Sequence, residues 1–283
     1  MRIDLHTHST ASDGTDDPAD LIGKAAAAGL DVVALTDHDT TAGWAAAEAA
    51  RPAGLALVRG MELSCVGEGE DGRPVPVHLL AYLFDPTAPA FAQERARLRT
   101  ERVERFRAMA AKMQADGLPI DADAILATVG PAPGRPHLAR ALVTAGVVSS
   151  IDEAFAGPLA DGGRYYVDKA DTPLDRAVQM VATAGGVAVI AHPRARRRAR
   201  LLSVEHIRRL AGAGLSGLEI DHPDHLPADR GMLTELADEL DLIRTGSSDY
   251  HGDNKTVRLG EYRTAAEQYE RIVDRATGVP VIA

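Results

Sequence analysis

The sequence has one cysteine, Cys65, among its 283 residues. A disulfide within the chain is therefore excluded, and so few thiols are typical of a protein in a reducing compartment. Aromatic side chains make up only 4% of the chain, which leaves few of them to stack on the bases of single-stranded nucleic acid. The sequence also lacks the run of about 20 apolar residues that spans a membrane and an apolar signal segment behind Met1. We therefore expect a cytoplasmic protein with no membrane partner.

Basic residues are fewer than acidic residues in this sequence. The chain has 31 Lys and Arg and 41 Asp and Glu, which gives a net charge of −10. Proteins that bind a DNA duplex present a basic surface, so we expect no duplex partner. A small anion still fits a local positive site. Hydrophobic residues reach 45% and charged residues 25%, which is typical of a folded globular enzyme. At ~100–200 residues per domain, the length predicts one large domain or two smaller ones.

Both ends of the chain alternate short apolar strands with helices. The predicted strands are residues 1–5, 32–35, 55–58, 77–82, 187–191, 217–220 and 242–245. The predicted helices are residues 19–28, 42–50, 173–184, 204–213, 228–240 and 265–277. This alternation is typical of a parallel sheet or barrel whose functional site lies at the carboxyl ends of the strands.

A stretch without strands interrupts the alternation. The pattern predicts a long charged helix over residues 89–116, which ends at Gly117, and shorter helices near residues 122–128, 136–145 and 151–155. No strand is predicted between residues 86 and 163. We therefore predict an α/β barrel made of residues 1–88 and 165–283, with an all-helical insertion at residues 89–164 that covers the active site.

Histidines and carboxylates recur at the ends of these strands. In an extended strand, residues i and i+2 point the same way, so His6 and His8 reach one point, and Asp249 and His251 repeat that spacing. A barrel brings its strand ends to one mouth, and a mouth lined by imidazoles and carboxylates is a metal site. This donor set contains no thiolate and suits two or three ions of manganese, iron(II) or zinc. The nine candidates are His6, His8, Asp13, His38, Glu62, His78, His192, Asp249 and His251.

These residues stand in motifs that resemble those of the PHP (polymerase and histidinol phosphatase) family. The resemblance implies a distorted seven-stranded (β/α) barrel that binds three metal ions. The motifs span almost the whole chain: Asp4-Leu5-His6-Thr7-His8-Ser9 with Asp13-Gly14, Leu35-Thr36-Asp37-His38-Asp39, Gly60-Met61-Glu62, His78, Ala191-His192-Pro193 and Ser248-Asp249-Tyr250-His251.

The resemblance also implies how the nine residues divide among the ions. One ion would be held by His6, His8, Glu62 and Asp249. A second would be held by Glu62, His78 and His192, with Glu62 as a bridge. The third would be held by Asp13, His38 and His251. All nine positions are filled, which argues against a non-catalytic member.

Within the family, the insertion motif Gly134-Arg135-Pro136-His137 resembles that of one branch. Enzymes of this branch remove the 3′-phosphate of nucleoside 3′,5′-bisphosphates and trim short RNA from the 5′ end. Three carboxylates and three divalent ions give the site a charge of about +3, which selects a phosphate ester. The expected reaction is attack of a metal-bound hydroxide on phosphorus, with manganese as the expected metal. No obligatory protein partner is implied.

Two alternatives stay open at this point. The first is a phosphatase for another small phosphomonoester such as histidinol phosphate. The second is a non-catalytic metal-binding module of the same family that supports a partner such as a polymerase. The absence of an attached polymerase domain in this sequence weighs against the second.

Five further residues are candidates for substrate contacts: Arg135, His137, His222, Ser12 and Lys169. Arg135 and His137 are expected to hold the second phosphate of the substrate, because arginine forms a bidentate fork to phosphate. The alternative is that Arg135 pairs with an acid of the insertion and His137 caps a helix. The arginine run at residues 194–200 is either a guide for an RNA backbone or a solvated start of a helix, and charge runs are usually solvated.

Overall fold

The computed structural model describes residues 1–195 and 200–283. Its strands are β1 (Ile3–Asp4), β2 (Val32–Leu35), β3 (Ala56–Glu68), β4 (Pro74–Tyr82), β5 (Thr172–Pro173), β6 (Val187–Ala191), β7 (Gly217–Asp221) and β8 (Ile243–Gly246). Its helices are α1 (Pro18–Ala27), α2 (Trp44–Ala50), α3 (Pro89–Ala115), α4 (Ala122–Leu126), α5 (Arg135–Thr144), α6 (Ile151–Ala156), α7 (Leu174–Thr183), α8 (Val204–Gly212), α9 (Pro227–Glu239) and α10 (Ala266–Arg275). A 3₁₀ turn at Gly252–Asn254 precedes α10. The two-residue strand β5 was not predicted.

The strands form one nearly closed barrel. Within the described residues, seven strands follow the order β1-β2-β3-β4-β6-β7-β8, and β5 pairs with β3 outside this path. The seam between β1 and β8 is joined by a parallel bridge from Thr7 to Tyr250. Beside it, the buried Asp4 carboxylate accepts hydrogen bonds from the amide and hydroxyl of Ser248 at 3.1 and 2.6 Å. This mixed α/β barrel of seven strands confirms the predicted fold class.

The direction of β4 departs from the parallel arrangement expected from the alternation. β4 runs antiparallel to both β3 and β6. The reason is that β3 and β4 form a hairpin, and a short connection joins only antiparallel neighbours. The strand predicted at residues 55–58 continues to Glu68, so Glu62 lies inside a strand and does not follow one. Gly60 interrupts the apolar pattern, and a Cβ there would lie 2.8 Å from Thr36 Cγ2.

Barrel strands are buried on both faces. Val33 and Leu35 of β2 join a large cluster with side chains of the surrounding helices, such as Leu21 of α1. Val32 and Ala34 join a second cluster with Ile3, Leu80 and Ile243. Because successive residues of a strand face opposite sides, these near-continuous apolar runs are what a sheet covered on both faces requires.

Residues 89–164, here called the helical segment, carry α3 to α6 and no strand among the described residues. Phe106, Leu138 and Ala154 pack in a separate hydrophobic cluster within it. Phe91 and Leu98, near the start of α3, pack instead in the cluster around the barrel. The segment therefore has a core of its own and is anchored to the barrel by one end of its long helix. The domain boundaries at residues 88 and 165 stay a prediction. No described helix combines the length and apolar character that a membrane span requires.

Among the glycines of the helical segment, Gly130 lies closest to the barrel. A Cβ at Gly130 would overlap the carbonyl oxygens of Thr10 and Ala11, in the loop that follows β1. We expect Gly130→Ala to lower the free energy of unfolding by about 1–3 kcal/mol, because the two backbones must move apart. Urea unfolding followed by circular dichroism measures this change.

The matched control is Gly231→Ala in α9. A Cβ there meets no described heavy atom within 4 Å, so alanine should be neutral or stabilise by up to about 1 kcal/mol. Equal effects of the two substitutions would contradict the close contact at Gly130.

Candidate metal centre

The barrel brings together all nine side chains that the sequence singled out. His6 and His8 follow β1, His38 follows β2, and Glu62 lies in the middle of β3. The remaining ligand candidates are His78 in β4, His192 after β6, Asp249 and His251 after β8, and Asp13 in the loop after β1. They lie within one connected cluster, because each has a ring nitrogen or carboxylate oxygen within 4.0 Å of another member.

Glu62 lies at the centre of this cluster and is about 1% exposed. Its Oε2 lies 3.2 Å from His6 Nε2 and 3.1 Å from His8 Nε2. Its Oε1 lies 2.6 Å from His78 Nδ1 and 3.1 Å from His192 Nε2. One carboxylate therefore faces two groups of imidazoles, which is the arrangement of a bridging ligand.

Asp13 marks a third group. Its carboxylate lies 3.7 Å from His38 Nε2 and 3.4 Å from His251 Nε2. Together with His8, these residues offer donor atoms within 4.8 Å of one another. His8 and His38 each belong to two groups, since His38 Nδ1 lies 3.2 Å from Glu62 Oε2. The three groups thus have residues in common, as the sites of neighbouring ions do.

Two buried polar atoms of the cluster test whether cations fit it. Asp249 Oδ1 and His38 Nδ1 have no hydrogen-bond partner among the described residues. An unpaired buried polar atom costs about 1–3 kcal/mol, and a cation bound to it removes that cost. The donor set of imidazole nitrogens and carboxylate oxygens suits divalent ions. The residues present therefore fit the metal ions that the sequence predicts.

The charges of the cluster keep its carboxylates ready to bind cations. Burial raises the pKa of Asp13, but the imidazoles of His38 and His251 outweigh it and hold the pKa well below the usual range. Burial also raises the pKa of Glu62, but the imidazoles of His78 and His38 outweigh it and hold that pKa well below its usual value. Both side chains are therefore ionised at neutral pH.

The backbone is strained at two of these positions. Asp249 has a φ of 53° and His192 a φ of 29°. Residues other than glycine seldom adopt this left-handed region, and such outliers concentrate at functional sites. The strain turns the chain sharply after β6 and β8 and directs the side chains into the cluster.

Glu219 is a residue that the sequence analysis missed. It is fully buried in β7, where Oε1 lies 3.0 Å from His6 Nδ1 and Oε2 accepts the backbone N–H of His192 at 2.9 Å. A carboxylate on Nδ1 fixes the tautomer that presents Nε2 to a metal. A charged residue inside an apolar strand was the signal for it.

Lys255 was also missed. Its Nζ donates to Asp249 Oδ2, and it lines the cavity of about 160 Å³ over the cluster. His222, which was predicted to reach the site, lies with Nε2 3.3 Å from the same oxygen. Asp249 thus turns one oxygen to Lys255 and His222 and the other to the histidines of the cluster. No sequence pattern pointed to Lys255, because it lies on a loop.

Ser12 also lies close to the cluster. Its hydroxyl donates to Asp37 at 2.7 Å and lies 3.4 Å from His8 Nδ1. Lys169 lies elsewhere, in a small cavity beside Asp39 and Arg102, and pairs with Asp171 at 3.0 Å.

Arg135 and His137 make the contacts of the alternative interpretation. Arg135 Nη1 pairs with Asp161 at 2.5 Å, and the Gly134 N–H donates to His137 Nδ1 at 3.0 Å at the start of α5. Three arginines of the run, at positions 196–198, lie outside the described residues together with the alanine at position 199. Its two ends, Arg194 and Arg200, pair with acids of the β3–β4 hairpin, Glu70 and Asp71.

Comparison with known proteins adds a family and several relatives. A family model described as "PHP domain" matches residues 4–119. A "5′-3′ exoribonuclease" of Haemophilus influenzae is 34% identical and aligns with 92% of this chain and 93% of its own length. A "3′,5′-nucleoside bisphosphate phosphatase" of Chromobacterium violaceum is 36% identical over 90% and 89% of the two chains.

A third relative carries a different activity in its name. The "phosphoribosyl 1,2-cyclic phosphate 1,2-diphosphodiesterase" of Eggerthella lenta is 35% identical over 89% of this chain and 95% of its own. The crystal structure of a protein from Bifidobacterium adolescentis, described as a metal-dependent phosphoesterase, superposes with a TM-score of 0.90. It is 36% identical and covers 97% of this chain and 96% of its own.

Replacing Glu219 tests its contact with His6. Glu219→Gln keeps the side-chain volume but removes the charge that holds the Nδ1 proton of His6. We expect manganese affinity to fall by about 10–100-fold, measured by calorimetric titration of metal-free protein. Glu235→Gln, at an exposed position of α9, should leave the affinity unchanged. Equal affinities for the two variants would contradict the orienting role of Glu219.

Proposed function

The chain belongs to the PHP domain family and is a metal-dependent phosphoesterase, and from that premise we propose that its substrates are nucleoside 3′,5′-bisphosphates and the 5′ ends of short RNA. Removal of the 3′-phosphate from the bisphosphate is the reaction proposed for the first. The support is identity of 34–36% over nine tenths of the chain with relatives that carry these two activities in their names.

We assign the metal ions to the nine clustered side chains. His6, His8, Glu62 and Asp249 hold one ion, and Asp13, His38 and His251 hold another. Glu62 also holds a further ion with His78 and His192. The observation that carries this assignment is the position of Glu62, whose two oxygens face different sets of imidazoles at 2.6–3.2 Å. Manganese is the proposed metal, since imidazole and carboxylate donors without a thiolate accept it readily.

The chain's own residues then bind and orient the phosphate. Bound divalent ions supply positive charge at the phosphate oxygens and lower the pKa of water at the site. Lys255 lines the cavity over the centre with a side chain that is 35% exposed, and its ammonium group adds a charge on the same side. Glu219 keeps His6 in place, and Asp249 is held between Lys255 and His222.

A second candidate function is hydrolysis of a cyclic phosphate diester, because the Eggerthella lenta relative is as similar as the others. The histidinol phosphate alternative becomes an outcome of the substrate test. The complete donor set opposes the non-catalytic alternative. A cytoplasmic location stays a prediction, supported by the single buried thiol of Cys65.

Metal removal is the first test. Protein treated with a chelator should lose phosphate release from adenosine 3′,5′-bisphosphate, and added Mn²⁺ should restore it, because the ions provide the charge that the phosphate requires. Full activity of rigorously metal-free protein would overturn the assignment.

Substrate preference is the second test. With Mn²⁺ present, we expect kcat/KM for adenosine 3′,5′-bisphosphate to exceed that for histidinol phosphate and for a ribose 1,2-cyclic phosphate by at least about tenfold, equal to 1.4 kcal/mol of transition-state binding. Colorimetric phosphate release measures the monoesters, and chromatography measures the cyclic ester.

Glu62→Gln should reduce the activity by at least about a hundredfold, since its carboxylate faces two of the groups of proposed metal ligands.

In the substrate test, a preference for histidinol phosphate or for the cyclic ester would replace the proposed substrate.

A further inference from the structure

A cleft of about 370 Å³ lies between the helical segment and the loop that follows β1. The loop contributes Gly14 and Thr15, directly after Asp13 of the metal centre, and the N–H of Thr15 donates to the carbonyl of His251 at 3.2 Å. The loop that lines this side of the cleft is therefore the loop that carries Asp13 of the metal centre. The cleft exceeds the 160 Å³ cavity over the metal centre and is within the usual size of ligand pockets.

One face of α5 forms the opposite wall. His137, Arg140, Ala141 and Thr144 line the cleft, and their spacing of three and four residues places them on one side of a helix. Arg140 is half-buried and has no hydrogen bond or ion pair with any described residue. By contrast, Arg135 and Arg164 of the same segment pair with Asp161 and Asp116. Arg140 is thus a guanidinium ready to bind an anion.

The other lining groups are neutral or apolar. Burial lowers the pKa of His137 to about 4, so its ring is uncharged at neutral pH. Because Nδ1 accepts the Gly134 N–H, the ring proton lies on Nε2, which can donate. Ile125 and Val129 add an apolar surface. A cation, a neutral donor and an apolar surface in one cleft match the phosphate, ribose and base of a nucleotide.

We propose that this cleft binds a second nucleotide of an RNA strand whose first nucleotide lies at the metal centre, with Arg140 on its phosphodiester. This inference rests on the proposed function and extends it. In this proposal the reacting phosphate of a mononucleoside bisphosphate lies at the metal centre and makes no contact with Arg140, whereas an oligoribonucleotide occupies both sites. Because the protein has a net charge of −10, its surface as a whole repels an RNA strand, and Arg140 supplies a local positive charge for the phosphodiester.

The test compares two substrates on four variants of the manganese-loaded protein. Arg140→Ala removes the charge, and Thr144→Glu adds a carboxylate at an exposed position of the same wall. We expect each to lower kcat/KM for a 5′-phosphorylated pentaribonucleotide at least about tenfold more than kcat/KM for adenosine 3′,5′-bisphosphate. The matched controls are Arg164→Ala and Thr100→Glu, at exposed positions of the helical segment outside the cleft, and they should not change this ratio.

A binding measurement separates the cleft from the proposed function. Fluorescence anisotropy with a labelled, hydrolysis-resistant pentaribonucleotide gives Kd for each variant, and we expect Arg140→Ala and Thr144→Glu to raise it about tenfold relative to their controls. Equal losses on both substrates, or an unchanged Kd, would overturn the cleft assignment. Wild-type protein that binds the RNA normally but releases no phosphate from the bisphosphate would overturn the proposed function alone.

Discussion

The burial of the Glu62 carboxylate among imidazoles is the interaction on which the rest of the site depends. An ionised carboxylate that is about 1% exposed is costly unless cations or donors surround it. Here five ring nitrogens surround it, and they come from β4 and from the loops after β1, β2 and β6. The barrel must therefore bring several strand ends to one point before Glu62 can be buried. Fold and metal centre are consequences of the same requirement.

Further buried carboxylates hold the loops around this centre in place through hydrogen bonds and an ion pair. Asp4 binds the backbone ahead of Asp249, Asp37 binds Ser9 and Ser12 near His8, and Asp39 pairs with Arg102 at 2.5 Å. Each of these carboxylates holds a loop that carries a proposed ligand or leads to one. Satisfied polar networks of this kind rigidify a site, because every member loses hydrogen bonds if one member moves. The proposed ligands are therefore fixed by the fold in advance of any ion.

The sequence predicted those parts that follow from local pattern. His6 and His8 converge because of the two-residue repeat of a strand, and His38 and His192 converge because strand ends share a mouth. Glu62 was predicted as a ligand but placed after its strand, because the strand was predicted over residues 55–58 and continues to Glu68. Pairings that depend on the conformation of a loop leave no local signal. The contact of Lys255 with Asp249, six positions away, and the choice of Asp161 as the acid that pairs with Arg135 could not be predicted for that reason.

The seam between β1 and β8 has a consequence for how the protein is made. Asp4 and Ser248 meet across it although they are 244 positions apart. A ribosome has therefore released most of the polypeptide before the first strand can find its neighbour, and contacts of such long range form late. Asp249 and His251 follow β8, the last strand, so the complete set of nine proposed ligands can assemble only after that strand has been synthesised.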